Sequence, residues 1–251
     1  MRESVILCEG YYDRAFWKGW LTHIGCKDLS RNGKPVMAPD GTPVTKGQYG
    51  YHSPDEKRFI RVVPCGGKDG VIRIAKDRLE GRLDKPWDHL ILSVDSDLNA
   101  DGSPNPTKKI TPQGIQDLAS NDNRSVSPIT GGFEVDFRGE TSQVLLMEWS
   151  TFDPSSPGLP NQQTLERLVC AAIKSAYSER ADTVQKWLDS RGQPPPPDPK
   201  DHAWSYMAGW YAEHGCQDFF RHLWDDEKIM PELRSRLQQS GDWDIAQELI
   251  K

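Results

Sequence analysis

The order of apolar and polar positions divides the chain into two stretches of different period. Ser4 to Cys8 is a short continuous apolar run, which predicts a buried strand. Ala15, Phe16, Gly19 and Trp20 then recur at helical spacing, predicting a helix from about Asp13 to His23. A second strand is expected over 58–63 ("RFIRVV"), followed by a glycine turn and a helix ending near Gly81. A third strand falls at 89–94 ("HLILSV"), a short helix around 112–120, and a fourth strand at 143–149 ("QVLLMEW"). Strands alternating with helices in this way predict an α/β fold, an open and largely parallel sheet flanked by helices. Residues 27–54 interrupt the alternation. They are rich in Gly and Pro, and a Pro39-Asp40-Gly41 turn between two short extended pieces predicts a hairpin within an insertion.

From Thr164 onward helical periodicity dominates, so the expected organisation is an α/β core over 1–150 and a helical extension over 151–251. "GQPPPPDP" (192–199), with its four prolines at 194–197, breaks that extension, because proline lacks the amide and the steric room a helix needs. It reads as a stiff spacer. Trp204, Met207, Trp210 and Tyr211 recur at helical spacing and read as core.

Composition narrows the class. The chain has 251 residues, 36% hydrophobic and 27% charged, typical of a soluble globular protein. It has no run of about 18 apolar residues, so no membrane span is expected. Its five cysteines, at 8, 26, 65, 170 and 216, never stand as CxxC, which argues against a disulfide framework or a structural zinc site. No secretory segment is read at Met1–Val5, and the expected compartment is the cytoplasm. A net charge of −6 counts against a protein that coats nucleic acid by charge alone, but not against a nucleic-acid enzyme that recruits cations.

The candidate chemistry lies at strand ends. Ligands of an open α/β sheet collect beyond the carboxyl ends of its strands. Glu9 ends the first strand, and Asp95 and Asp97 end the third, with a spacing that lets both point the same way. Asp13, one turn into the first helix, is either a fourth member or a helix-start residue favoured by the dipole. Carboxylates crowded together repel, and hard divalent cations such as Mg²⁺ relieve that repulsion through oxygen ligands. A competing reading is a calcium loop from Asp97 through Asn99, Asp101 and Gly102. Against it, Lys108 stands where that loop requires a bidentate Glu, and a strand precedes it instead of a helix. "GGKDG" (66–70) lacks the glycine spacing of a phosphate-binding P-loop and reads as a tight turn.

Together "VILCEGYYD" and "LILSVDSD" resemble the Toprim domain, shared by topoisomerases, bacterial primases, OLD-family nucleases and small maturases, over residues 1 to about 150. The Glu-Gly-x-x-Asp form is most similar to the nuclease branch. The resemblance implies a Rossmann-like sheet and a metal-dependent endonuclease acting on DNA or RNA. Its Mg²⁺ or Mn²⁺ ions, two by the resemblance, would be held by Glu9, Asp13, Asp95 and Asp97, with Glu9 also taking a proton. "PNQQTLERLV" resembles a Leu-Glu element of OLD-type and stand-alone Toprim proteins, which implies a metal role for Glu166. The alternative for Glu166 is a carboxylate complementing the helix dipole behind an N-cap at Thr164. Lys200, at the start of "PKDHAWSYMAGWYAEHG", matches a lysine near the scissile phosphate, or is a solvated lysine. The resemblance further implies an ABC-type ATPase partner in anti-phage defence. A Toprim module that binds without cutting, and a nucleotidyl transferase, are the other readings. Residues 27–54 and the cluster Phe219, Phe220, Leu223 and Trp224 are the expected partner surfaces, the cluster being otherwise core.

Overall fold

The computed structural model describes residues 1–30, 35–45, 47–79, 87–99, 101–103, 125–137, 139–191, 198–207 and 215–250. The expected helix around 112–120, the proline spacer at 194–197, Gly81, Lys108, Trp210 and Tyr211 lie outside them. The strands are β1 (Arg2–Cys8), β2 (Lys27–Asp28), β3 (Tyr49–His52), β4 (Arg58–Pro64), β5 (Trp87–Asp95), β6 (Ser125–Ile129), β7 (Gly132–Phe137) and β8 (Glu140–Trp149). Helix α1 (Tyr11–His23) follows β1 and α2 (Lys68–Leu79) follows β4. After β8 come α3 (Leu165–Ala176), α4 (Glu179–Ser190), α5 (Pro199–Met207), α6 (Gly215–Asp225), α7 (Ile229–Ser240) and α8 (Asp242–Glu248).

The strands form one sheet in the order β2-β3-β4-β1-β5-β8-β7-β6. Its centre is parallel: β1 lies between β4 and β5 and runs parallel to both. Antiparallel pairs flank it, β2–β3 and β3–β4 on one side, β8–β7 and β7–β6 on the other. The chain is therefore an α/β protein with an open sheet, flanking helices and a helical C-terminal region.

Burial explains the central strands. Val5 to Cys8 are fully buried without alternation, the mark of a strand covered on both faces. Val71, Ala75 and Leu79 of α2 pack on Val5, Leu7, Leu90, Leu92 and Val94. Ser93, which alternates with Leu92 and Val94, accepts a 3.0 Å hydrogen bond from the Trp17 indole of α1, so α1 covers the opposite face. Phe16, Trp17 and Trp20 of α1 are fully buried, and the Trp17 and Trp20 rings stack 5.0 Å apart.

Within the insertion, Met37 bridges Pro43 across the Pro39-Asp40-Gly41 turn. Asp40 accepts hydrogen bonds from both the amide and the hydroxyl of Thr42, which closes the turn.

The glycine turn after β4 has a backbone cause. Gly66 and Gly67 have φ of +77° and +105°, a region open to glycine without strain. Gly70 is required for space instead. A Cβ there would stand 2.0 Å from the Cys65 carbonyl oxygen. Gly70→Ala should therefore shift α2 and lower stability by about 1–3 kcal/mol, the range for overpacking. Thermal melting checks this, and an unchanged melting temperature would contradict it.

The chain forms two compact units. One comprises 1–94, 110–147 and 244–251, the other 95–109 and 148–243, a division different from a single cut near residue 150. The last residues belong to the sheet unit, where the Arg58 guanidinium donates to the Glu248 carbonyl at 2.7 Å. In the helical unit, α3 is the hub and packs on α5 and α7. Leu168, Val169, Cys170, Ala172 and Ile173 of α3 are buried to within 1%. Phe219, Phe220, Leu223 and Trp224 of α6 are also buried, so that cluster is core and not an exposed partner surface. Met207 is buried as expected. Trp204 is 40% exposed, which corrects its reading as core, because it falls on the outer side of α5. Among the described residues, no helix is long and apolar enough to cross a membrane.

Candidate active site

Glu9 leaves β1 half-buried, and its backbone carbonyl accepts a 2.7 Å hydrogen bond from the Gly67 amide. The glycine turn after β4 thus fixes where the chain exits β1. Helix α1 begins at once. Asp13 is buried and its Oδ2 accepts the Gly10 amide at 3.1 Å, so the carboxylate closes the first turn. This is the helix-start role, performed by one carboxylate oxygen. Burial first, and then the Asp13 charge, push the Cys8 thiol well up, which places that carboxylate close to the end of β1. Cys8 lies level with Ser93 in the parallel pairing of β1 and β5, so the chain leaves both strands at the same edge of the sheet.

The helical unit begins with the second acidic group. Asp95 is the last residue of β5, and its Oδ1 accepts the Leu165 amide at 2.8 Å. The residues after it run antiparallel to those before α3. The Asp97 amide donates to the Gln163 carbonyl at 3.1 Å, the Gln163 amide donates to the Leu98 carbonyl at 2.8 Å, and Asn99 bridges Gln162. Two segments about 65 residues apart in sequence are thereby held side by side, and Asp95, Asp97 and the start of α3 come together. Thr164 caps α3 as expected, accepting from the Arg167 amide. Glu166 falls in the first turn, one residue beyond the amide that Asp95 binds. After burial itself, its charge is the next cause pushing the Cys170 thiol up.

Asp97 has φ of +55°, in the left-handed region that Asp enters more readily than most residues. That twist turns the chain out of β5 into a compact turn. There the Asn99 amide donates to the Ser103 carbonyl and the Asp101 carboxylate accepts the Ser103 amide. Asn99 and Asp101 serve this turn, which is a structural alternative to the calcium loop.

The side chains do not converge further. Among the described residues, no group of three or more His, Cys, Asp or Glu stands together in a way that could hold a metal ion. The carboxylates are oxygen donors of the kind Mg²⁺ and Mn²⁺ take, but Asp13 and Asp95 each use an oxygen on a backbone amide. Lys200 is exposed in the first turn of α5, beside Asp198 and Asp201, which cap that turn reciprocally. Asp201 also pairs with Arg191 at 2.9 Å.

The residue most responsible for joining these segments is one the sequence reading did not single out. Gln163 is 4% exposed, and its side chain spans Thr151, accepting from the Thr151 amide at 2.9 Å and donating to the Thr151 carbonyl at 3.0 Å. Its backbone meanwhile holds Asp97 and Leu98. The available signal was a polar pair, Gln162-Gln163, directly before the N-cap of an apolar helix.

No family model matches the sequence, and no curated protein matches it. The fold is similar to the crystal structure of a hypothetical protein from Pyrococcus horikoshii OT3, with a TM-score of 0.67 over 100% of both chains and 13% identity. The fold defines an α/β protein with an open mixed sheet and a helical C-terminal region. The chain shares that fold over its whole length with the archaeal protein.

Proposed function

We propose that the chain is a Toprim-type nuclease that hydrolyses phosphodiester bonds of DNA or RNA with Mg²⁺ or Mn²⁺. The observation that carries this reading is the pairing of 97–99 with 162–163, which joins the Asp-x-Asp segment to the Leu-Glu segment through Asp95 and the Leu165 amide. Two motifs remote in sequence and singled out for the same chemistry meet in one local structure. Its further support is the parallel β1–β5 pair, whose register sets Cys8, the residue before Glu9, level with Ser93. Glu9, Asp13, Asp95, Asp97 and Glu166 would hold the cations, which when bound polarise the phosphate and activate water. Glu9 accepts a proton from the attacking water, and Lys200 offsets charge that develops on the phosphate.

The helix-start duties of Asp13 and Asp95 favour a second reading, a Toprim fold that docks on a partner or on nucleic acid without cutting. Cleavage separates the two. Purified protein with Mg²⁺ or Mn²⁺ should cut nucleic acid, though poorly without its partner. Glu166→Gln should raise the metal concentration required, and Lys200→Ala should lower the turnover rate with the metal requirement unchanged. No cleavage under any condition, with retained nucleic-acid binding, would select the second reading. A partner belongs to this proposal, an ABC-type ATPase in anti-phage defence. A net charge of −6 gives the chain little unaided attraction for phosphate backbones. Co-expression with such a partner should therefore change the cleavage rate.

A further inference from the structure

Tyr11 opens α1 two residues from both Glu9 and Asp13, yet its side chain is 64% exposed. A large aromatic ring in water at that position needs a reason, since the same helix buries Phe16, Trp17 and Trp20 completely. The ring is not loose. The Arg14 guanidinium, one turn on, lies 4.7 Å from its centroid, and Gly47 lies beside its edge, where an added Cβ would stand 3.8 Å from the ring.

Arg14 is itself anchored. It is 93% buried, its other flank faces the Tyr49 ring at 4.4 Å, and one terminal nitrogen donates to the Gly47 carbonyl at 2.6 Å. Its Nε is buried with no hydrogen-bond partner. A guanidinium held against two rings, with a buried N–H left over, is a costly arrangement. One effect of it is to fix the exposed Tyr11 ring over a cation.

We infer that Tyr11 is a stacking platform for an unpaired base of single-stranded nucleic acid, positioned beside Glu9. The substrate class rests on the nuclease reading, and the ring supplies the selectivity. Bases in a duplex have both faces covered by their neighbours, whereas a single strand offers a free π-face to an aromatic side chain. Arg14 behind the ring preserves its orientation, so little freedom is lost when a base stacks. Tyr11 touches substrate in this role without taking part in the bond cleavage, which makes it a positioning and specificity residue.

The test is binding in EDTA, where no cleavage occurs, read by fluorescence anisotropy of a short labelled single-stranded oligonucleotide in DNA and RNA forms. Tyr11→Ala should weaken single-strand binding on the order of 10-fold, within the range for losing one stacked base. Tyr11→Phe should stay within about twofold of the parent, because the ring and not the hydroxyl makes the contact. Binding of the matching duplex should not change in either variant. Melting of each variant guards against unfolding, and at this exposed position both should fold. Equal binding by Tyr11→Ala and parent, equal loss in Tyr11→Phe and Tyr11→Ala, or no single-strand binding by the parent would each overturn the inference. Tyr11-dependent binding by a parent that never cleaves with metal would leave the platform standing and remove the nuclease reading. Cleavage that is indifferent to Tyr11, with binding equally indifferent, would do the reverse.

Discussion

Replacing Asp95 with asparagine is expected to abolish metal-dependent cleavage while leaving the protein folded. The two roles of this carboxylate can be separated because they use different properties of it. As a helix acceptor it needs only an oxygen at 2.8 Å from the Leu165 amide, and an asparagine carbonyl supplies one. In the cation-binding role proposed for it, it needs its charge, which asparagine lacks. Loss of a residue that only orients a metal ligand costs about 10–100-fold, so loss of a ligand should reduce the rate by at least about 100-fold. Asp95→Ala should lose the same activity and also the cap, about 1 kcal/mol or a melting temperature lower by roughly 2–4 °C. Initial rates in Mg²⁺ and Mn²⁺ together with thermal melts decide the matter. Asp95→Asn cutting like the parent would reduce Asp95 to a structural residue and undo the nuclease proposal.

The largest expected effect on stability lies at Arg236. Its guanidinium grips the Asp153 carboxylate with two 2.8 Å hydrogen bonds, and reaches Ser175 and Glu232 as well. The two side chains are only 9% and 25% exposed. Removing one partner of such a pair strands the other charge, and Arg236→Met should cost about 3 kcal/mol. The melting temperature of the helical unit should fall by roughly 6–12 °C. A loss under about 1 kcal/mol would mean the pair behaves like an exposed surface bridge.

The same pair predicts a pH dependence. Burial by itself would raise the Asp153 pKa, but hydrogen bonds from Arg236 and Thr151 and the nearby Arg236 and Arg167 charges hold it below the usual carboxylate range. A carboxyl with a depressed folded pKa adds stability above its unfolded value, near 4, and loses it as the pH falls through the folded value. Acid unfolding of the parent should therefore include a component below about pH 4 that Arg236→Met lacks. Urea midpoints measured across that range provide the check.

What the sequence by itself determined follows from local periodicity and chemistry. β1, β4, β5 and β8 and the helices α1 and α2 were legible, because full burial leaves continuous apolar runs and one-sided burial leaves a helical stripe. Thr164 was readable as a cap, and Glu9, Asp95 and Asp97 could be placed at strand ends, since the end of an apolar run is visible in the chain. β6 was not legible: "SVSPI" is a mostly exposed edge strand with a proline, and it carries no apolar alternation. Trp204 was misread for a related reason, because helical spacing reports that residues share a face but not whether anything covers it. Tertiary structure alone decided that Gln163 fastens the Asp95–Asn99 segment to the start of α3, and that Asp95 points at the Leu165 amide. It also decided that Arg14 stands between Tyr11 and Tyr49. Apart from Arg14 over Tyr11, which is one helical turn, those contacts link residues tens of positions apart through single hydrogen bonds and ring faces, which leave no period in the sequence and exist only once the chain has closed on itself.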